Sequence, residues 1–155
     1  MCFVLYMASD RERAVIPWDE KNLNFHVTAN DSDALKASQH FTKKNIYYLG
    51  SDNGCGCGFR RETDGYIDDP KELASKAENH RNLHNYLKEC LKDEQTIELF
   101  SCWSGDETDK VEHRQEIALS DLLRPEFIFL EHQFTIVTIG EPDAAPNFEG
   151  SAPSK

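Results

Sequence analysis

The chain has 155 residues, 39% of them hydrophobic and 29% charged, which is the composition of one folded soluble domain. Its formal net charge of −11 would repel phosphate backbones and anionic lipid headgroups, so we expect neither nucleic acid nor a membrane as a partner. No apolar run approaches the roughly 20 residues of a transmembrane helix, and the run at residues 3–8 is too short for a secretory signal peptide. We therefore expect a cytoplasmic protein with mostly reduced cysteines.

The first part of the chain predicts short strands and one short helix. Residues 2–8 are apolar and predict a first strand, and residues 14–16 and 25–27 predict two shorter ones. Asn30, Asp31 and Ser32 have side chains that cap helices, so a short helix is expected from residue 33 to about residue 41.

The densest local signals lie in residues 45–60. Residues 46–49 are β-branched and aromatic, which favours a strand. Asn53-Gly54 follows, and this pair tolerates the positive φ angles of a type I′ turn, so the sequence predicts a β-hairpin. The expected cross-strand pairs are Asp52 with Cys55, Gly50 with Cys57, and Tyr48 with Phe59.

The predicted second strand of this hairpin carries two thiols on one face. Cys55 and Cys57 alternate with Gly56 and Gly58, which leave the other face bare and need a compensating reason, either packing or binding. The Cα atoms of the two cysteines would be about 6.6 Å apart, which is long for a disulfide. Two thiolates on one soft metal ion are easier to place. Buried reduced thiols and redox or catalytic thiols are the alternatives.

The next segment predicts the longest helix of the chain. Asp69 can cap it, Pro70 suits its first position, and Glu72 completes a capping box. The helix is expected to end at residue 91 or 92. Its apolar face should consist of a stripe flanked by Leu83 and Cys90; the stripe contains Leu73, Ala77, His80, His84, Leu87 and Leu91.

His80 and His84 lie in the middle of that stripe, and two imidazoles one helical turn apart can chelate one ion. Because neighbouring elements usually pack together, Cys55 and Cys57 would be able to join them. Two thiolates and two imidazoles suit a zinc-like transition metal, and this is our leading interpretation. The alternative is that both histidines hydrogen-bond to backbone or water.

The last part of the chain predicts mostly strands. Residues 96–103 and 111–118 should form a second hairpin, and a single turn follows at residues 121–123. Residues 127–139 predict a long final strand, either continuous or broken near residues 131–133. Asp106, Glu107 and Asp109 lack the spacing of an EF-hand, so we expect a solvated acidic turn there. Cys90 and Cys102 are expected to be structural.

The element order predicts one α+β domain over residues 1–139, with a largely antiparallel sheet and with one long and one or two short helices packed on one face. Residues 140–155 are rich in Pro, Ala, Gly and Ser and are expected to form a flexible tail.

Two other functions remain open at this stage. A non-catalytic interaction module would use the aromatic side chains near the glycines, Tyr47, Tyr48, Phe59 and Tyr66. An N-terminal-cysteine hydrolase would use Cys2 as its nucleophile after removal of Met1, with the α-amine as base. No motif accompanies Cys2, and a small apolar residue in a strand is the simpler interpretation. Neither the reaction nor the substrate follows from the sequence.

Overall fold

The strand that organises the fold is the first one, because both of its edges and both of its faces are covered. In the computed structural model, which describes residues 2–22, 24–61 and 69–140, this strand pairs antiparallel with two others. The strands are β1 (Phe3–Ser9), β2 (His26–Ala29), β3 (Asn45–Gly50), β4 (Thr96–Trp103), β5 (His113–Ala118) and β6 (Gln133–Thr138). The helices are α1 (Ser32–Lys36) and α2 (Pro70–Cys90), with 3₁₀ turns at Ala37–His40, Gly56–Phe59 and Leu119–Leu123.

The described strands form one six-stranded sheet in the order β2-β3-β1-β4-β6-β5. Every neighbouring pair is antiparallel except β5 and β6, which are parallel. The predicted α+β class and the largely antiparallel sheet are therefore confirmed. The short segment predicted as a strand at residues 14–16 contributes a single bridge, between Ile16 and Val27.

Two predictions about the last strands are wrong. β4 and β5 do not form a hairpin, because β4 pairs with β1 and β6 while β5 lies at the sheet edge beyond β6. Their side chains explain this, since β4 is almost entirely buried and β5 is mostly exposed. The final strand does not start at residue 127 but only at Gln133, because His132 has a φ of 55° and interrupts the extended backbone. This interruption lies where the sequence allowed for a break, near residues 131–133.

The helices lie on opposite faces of the sheet, which corrects the expectation that they share one. Successive side chains of β1 point to opposite faces. Phe3, Leu5 and Met7 belong to a core cluster with Leu83 and Leu87 of α2. The alternate residues of β1 belong to a second cluster that contains Ala34 of α1 and Ala37 of the following turn. Because β1 and β4 are buried on both faces, each face of the sheet has its own cover.

The long helix begins where its cap predicts. Asp69 accepts a hydrogen bond from the Lys71 amide at 3.0 Å, and Pro70 occupies the first turn. The buried face differs from the expected stripe at one end: Leu73 is 47% exposed, whereas the flanking residues Leu83 and Cys90 are buried. The first turn of α2 therefore extends beyond the core.

Two expectations lie outside what the structure shows in full. The tail was predicted over residues 140–155, of which all but Gly140 lie outside the described residues, and so does Tyr66. Within the described ranges, no helix combines the length and the apolarity that a bilayer crossing requires.

The packing of α2 predicts a contrast between two leucines of the same helix. Leu83→Ala should lower the free energy of unfolding by about 2–5 kcal/mol, because a fully buried side chain leaves a cavity. Leu73→Ala should change it by no more than about 0.5 kcal/mol. Urea denaturation followed by circular dichroism measures both. Equal losses would contradict the burial assigned to α2.

Candidate metal centre

The chain reverses direction after β3, but it does not form the predicted hairpin. The Gly54 amide donates to the Ser51 carbonyl at 3.1 Å, and the Ser51 amide donates to the Cys55 carbonyl at 2.7 Å. Gly54 has a φ of +85°, whereas Asn53 is not among the residues with positive φ, so the turn is not the expected type I′. After Cys55 the chain enters the 3₁₀ turn Gly56–Phe59 instead of a second strand.

Hydrogen bonds of Ser51 explain why the expected strand is missing. Its hydroxyl donates to the Cys55 carbonyl at 2.6 Å and accepts from the Gly58 amide at 3.0 Å. These bonds satisfy backbone groups that a hairpin ladder would otherwise pair, and they curl the segment into the 3₁₀ turn.

Gly56 and Gly58 are required by packing, which answers the question that the sequence left open. A Cβ atom at residue 56 would lie 2.8 Å from the Phe3 carbonyl oxygen, which is backbone and cannot move aside easily. A Cβ atom at residue 58 would lie 2.5 Å from Asn79 Nδ2. The missing side chains therefore let the 3₁₀ turn lie directly against the start of β1 and against α2.

This close approach brings together three thiols. The Sγ atoms of Cys2, Cys55 and Cys57 all lie within 4.8 Å of one another, and we call these residues the thiol cluster. The cluster is partly open to solvent, since Cys2 is exposed and the other two are half-buried. Cys55 and Cys57 were predicted to share a site, whereas Cys2 was not predicted to join them.

Backbone amides hold the thiol cluster in place. The Phe3 amide donates to Cys57 Sγ at 3.3 Å, and the Cys57 amide donates to Cys55 Sγ at 3.5 Å. The carbonyl oxygen of Cys2 accepts from the Ser104 amide at 2.7 Å, which ties this residue to the end of β4. The positions of the three sulfur atoms thus depend on two separate segments, the one that precedes β1 and the one that follows β3.

One member of the cluster, Cys55, has a shifted pKa. Burial, aided by the neighbouring thiols of Cys57 and Cys2 and opposed by the Cys57 amide, raises the pKa of Cys55 to about 12. Cys55 is therefore protonated at neutral pH and is a poor nucleophile.

The Arg60 guanidinium lies over the rings of Trp103 and Phe3, at 5.0 and 5.8 Å from their centroids.

His80 and His84 do not belong to the thiol cluster. His80 is buried, with Nε2 2.7 Å from the Phe59 carbonyl oxygen and Nδ1 3.1 Å from the Leu122 carbonyl oxygen. His84 is half-buried, and its Nδ1 lies 3.1 Å from Asn85 Oδ1. Both ring nitrogens of His80 thus face backbone oxygens. This arrangement matches the alternative interpretation of the helix histidines as hydrogen-bonding groups.

The predicted meeting of the helix with the cysteine segment does occur, but with a different role for His80. Its ring contacts the last residue of the 3₁₀ turn and so fixes that turn to α2. Lys76 of α2 also donates to the Cys57 carbonyl, at 2.9 Å. The remaining two cysteines, Cys90 and Cys102, are buried, as expected for structural residues.

Neither the family models, the curated proteins nor the solved structures gave a match to this chain, so its function is inferred from its own geometry.

The burial of His80 predicts a loss of stability in acid. Burial lowers the pKa of His80 to about 4, and Arg61 acts in the same direction. The unfolded chain, with a pKa of about 6.5, binds the proton more readily. The resulting stability is present above pH ~6.5 and is lost as the pH falls towards 4, by about 3 kcal/mol in total.

His80→Gln should reduce this pH dependence, measured as the free energy of unfolding between pH 7 and about 4. His84→Gln is the matched control and should keep the wild-type slope, because His84 is only half-buried. An unchanged slope in His80→Gln would show that His80 is not the responsible group.

Proposed function

We propose that this protein binds a soft transition-metal ion, Zn²⁺ or Cu⁺, through Cys2, Cys55 and Cys57. The observation that carries the proposal is the convergence of their Sγ atoms within 4.8 Å. Cys2 directly precedes β1 and the other two cysteines lie in the turn after β3, so the convergence is a product of the fold.

The spacing of the sulfur atoms suits one shared ion. Zinc–sulfur bonds are about 2.3 Å long, so two thiolates on one tetrahedral ion stand about 3.8 Å apart. Three thiolates around a trigonal Cu⁺ ion of similar bond length would stand about 4.0 Å apart. The separations in the thiol cluster, at most 4.8 Å, require only small side-chain rotations to reach either arrangement.

The electrostatics favour a metal over redox chemistry. Redox and catalytic cysteines need a thiolate, and the raised pKa of Cys55 opposes one. A bound cation removes this obstacle, because a coordinating thiol is deprotonated outright. Soft thiolate ligands select Zn²⁺ or Cu⁺ over Mg²⁺ or Ca²⁺. Because Cys2 is exposed, a fourth position on a bound Zn²⁺ would face solvent.

We further propose that the protein resides in the cytoplasm, where a reducing pool would keep these thiols available to a metal. The net charge of −11 supports a partner other than nucleic acid.

The two alternative functions have less support. Of the aromatic residues expected to form an interaction surface, Tyr47 and Phe59 are buried in the core and Tyr48 is partly buried. Cys2 is exposed, as a hydrolase nucleophile must be, but its sulfur lies among two other thiols. Intact-mass analysis showing that Met1 is retained would remove the hydrolase hypothesis.

Titration with Co²⁺ tests the metal site. Thiolate ligands give intense charge-transfer absorption in the near ultraviolet, which should saturate at about one ion per chain and disappear when Zn²⁺ is added. Cys57→Ser should weaken binding about tenfold or more, because it removes one of the three proposed ligands. Far-ultraviolet circular dichroism checks that the variant is folded.

Two matched variants sharpen this test. Cys90→Ala removes a cysteine outside the cluster and should leave Co²⁺ binding unchanged. His84→Gln should also leave it unchanged if the ligands are three thiols, and should weaken it if the helix histidines complete the site. The proposal fails if no charge-transfer band forms, or if Cys57→Ser binds Co²⁺ as tightly as the wild type.

A further inference from the structure

A second group of ligand-type side chains surrounds His132, immediately before β6. Its Nε2 atom lies 3.5 Å from Asp106 Oδ2 and 3.4 Å from Asp109 Oδ2. On the other side of the ring, Nδ1 lies 3.7 Å from Glu112 Oε1. The acidic residues come from the connection between β4 and β5. The sequence predicted only a solvated turn there, because His132 lies much later in the chain.

The imidazole is the unusual member of this group. Both ring nitrogens of His132 are buried, yet neither has a hydrogen-bond partner among the described residues. Buried polar atoms are nearly always hydrogen-bonded, so the exception needs a reason. A direct charge-assisted hydrogen bond to a carboxylate would measure about 2.7–2.9 Å, and the observed separations to Asp106 and Asp109 are longer.

The observed separations fit two ligands that share an ion. With bonds of about 2.1 Å to nitrogen and oxygen, two ligands of one tetrahedral ion stand about 3.4 Å apart. The distances from His132 Nε2 to the two aspartates are 3.5 and 3.4 Å. The ligand atoms of His132, Asp106 and Asp109 all lie within 4.8 Å of one another.

The connection that carries the aspartates is anchored to the core. Glu107 is buried and accepts hydrogen bonds from the Tyr6 hydroxyl at 2.7 Å and from the Gly105 amide at 3.1 Å. The Asp109 amide donates to the Asp106 carbonyl at 2.9 Å, which holds the two aspartates together. The backbone that carries the two aspartates is therefore held in place without an ion, which reduces the entropy lost on binding.

We propose that Asp106, Asp109 and His132 bind a divalent cation that prefers nitrogen and oxygen ligands, such as Mn²⁺. His132 binds through Nε2, and Glu112 faces Nδ1 on the opposite side of the ring. The mixed ligand set separates this site from the thiol cluster, which selects softer ions.

Mn²⁺ is the probe ion, because it prefers oxygen and nitrogen ligands over thiols. Electron paramagnetic resonance of the full chain should show free Mn²⁺ disappearing with saturation at about one ion per chain. Asp109→Asn and His132→Asn should each weaken binding about tenfold or more, because the first removes the negative charge of a ligand and the second removes the imidazole nitrogen. Asparagine is used at residue 132 because it tolerates the φ of 55° there.

The controls separate this site from other acidic groups and from the thiols. Asp33→Asn removes a half-exposed carboxylate on α1 and should leave Mn²⁺ binding unchanged. Cys57→Ser should also leave it unchanged, so failure of the thiol proposal and failure of this one give different results. Three results would overturn the inference: no saturable binding of Mn²⁺, binding that Asp109→Asn leaves intact, or binding that depends on Cys57.

Discussion

The contact on which the candidate site depends is a backbone-to-backbone approach between Gly56 and the start of β1. Any side chain at residue 56 would meet the Phe3 carbonyl oxygen at 2.8 Å. Since Cys2 directly precedes Phe3 and Cys55 and Cys57 flank Gly56, the same approach sets the distance between the sulfur atoms. The absence of a side chain at the buried Gly56 therefore determines how far apart the three sulfur atoms lie.

The surrounding structure keeps that approach in place from the side opposite β1. His80 and Lys76 of α2 contact the carbonyl groups of Phe59 and Cys57. Asn79 donates to the Gly58 carbonyl at 3.3 Å from the same helix. The 3₁₀ turn thus lies between β1 and α2. Its position is fixed because its carbonyl groups need hydrogen-bond donors, and side chains of α2 supply them.

The sequence predicts those parts of the fold that depend on interactions between residues close together in the chain. The start of α2 follows from Asp69 and Pro70, which act within one turn of helix. The reversal at Gly54 was also predictable, but the continuation was not, because Ser51 and the packing of Gly56 replace the strand with a 3₁₀ turn. The two glycines that weaken a strand were the available signal for this outcome.

Non-local chemistry could not be predicted from spacing. The addition of Cys2 to the cysteine pair depends on the pairing of β1 with β3, which no local pattern specifies. The same holds for β5, whose partner is β6 and not its predecessor β4. His80 was correctly placed on the buried face of the helix, but its two carbonyl partners come from residues 59 and 122, far away in sequence.

The central position of β1 has a consequence for the order of assembly. Its two neighbours, β3 and β4, are reached only much later in the chain, so β1 has neither partner when it is made. Loop closure over such separations is slow, and both apolar faces of β1 stay exposed until then. The Cys2 carbonyl is held by Ser104, at the far end of β4, so the ligand site is completed late. A metal ion bound at this site would therefore stabilise the finished sheet and would not help to start its folding.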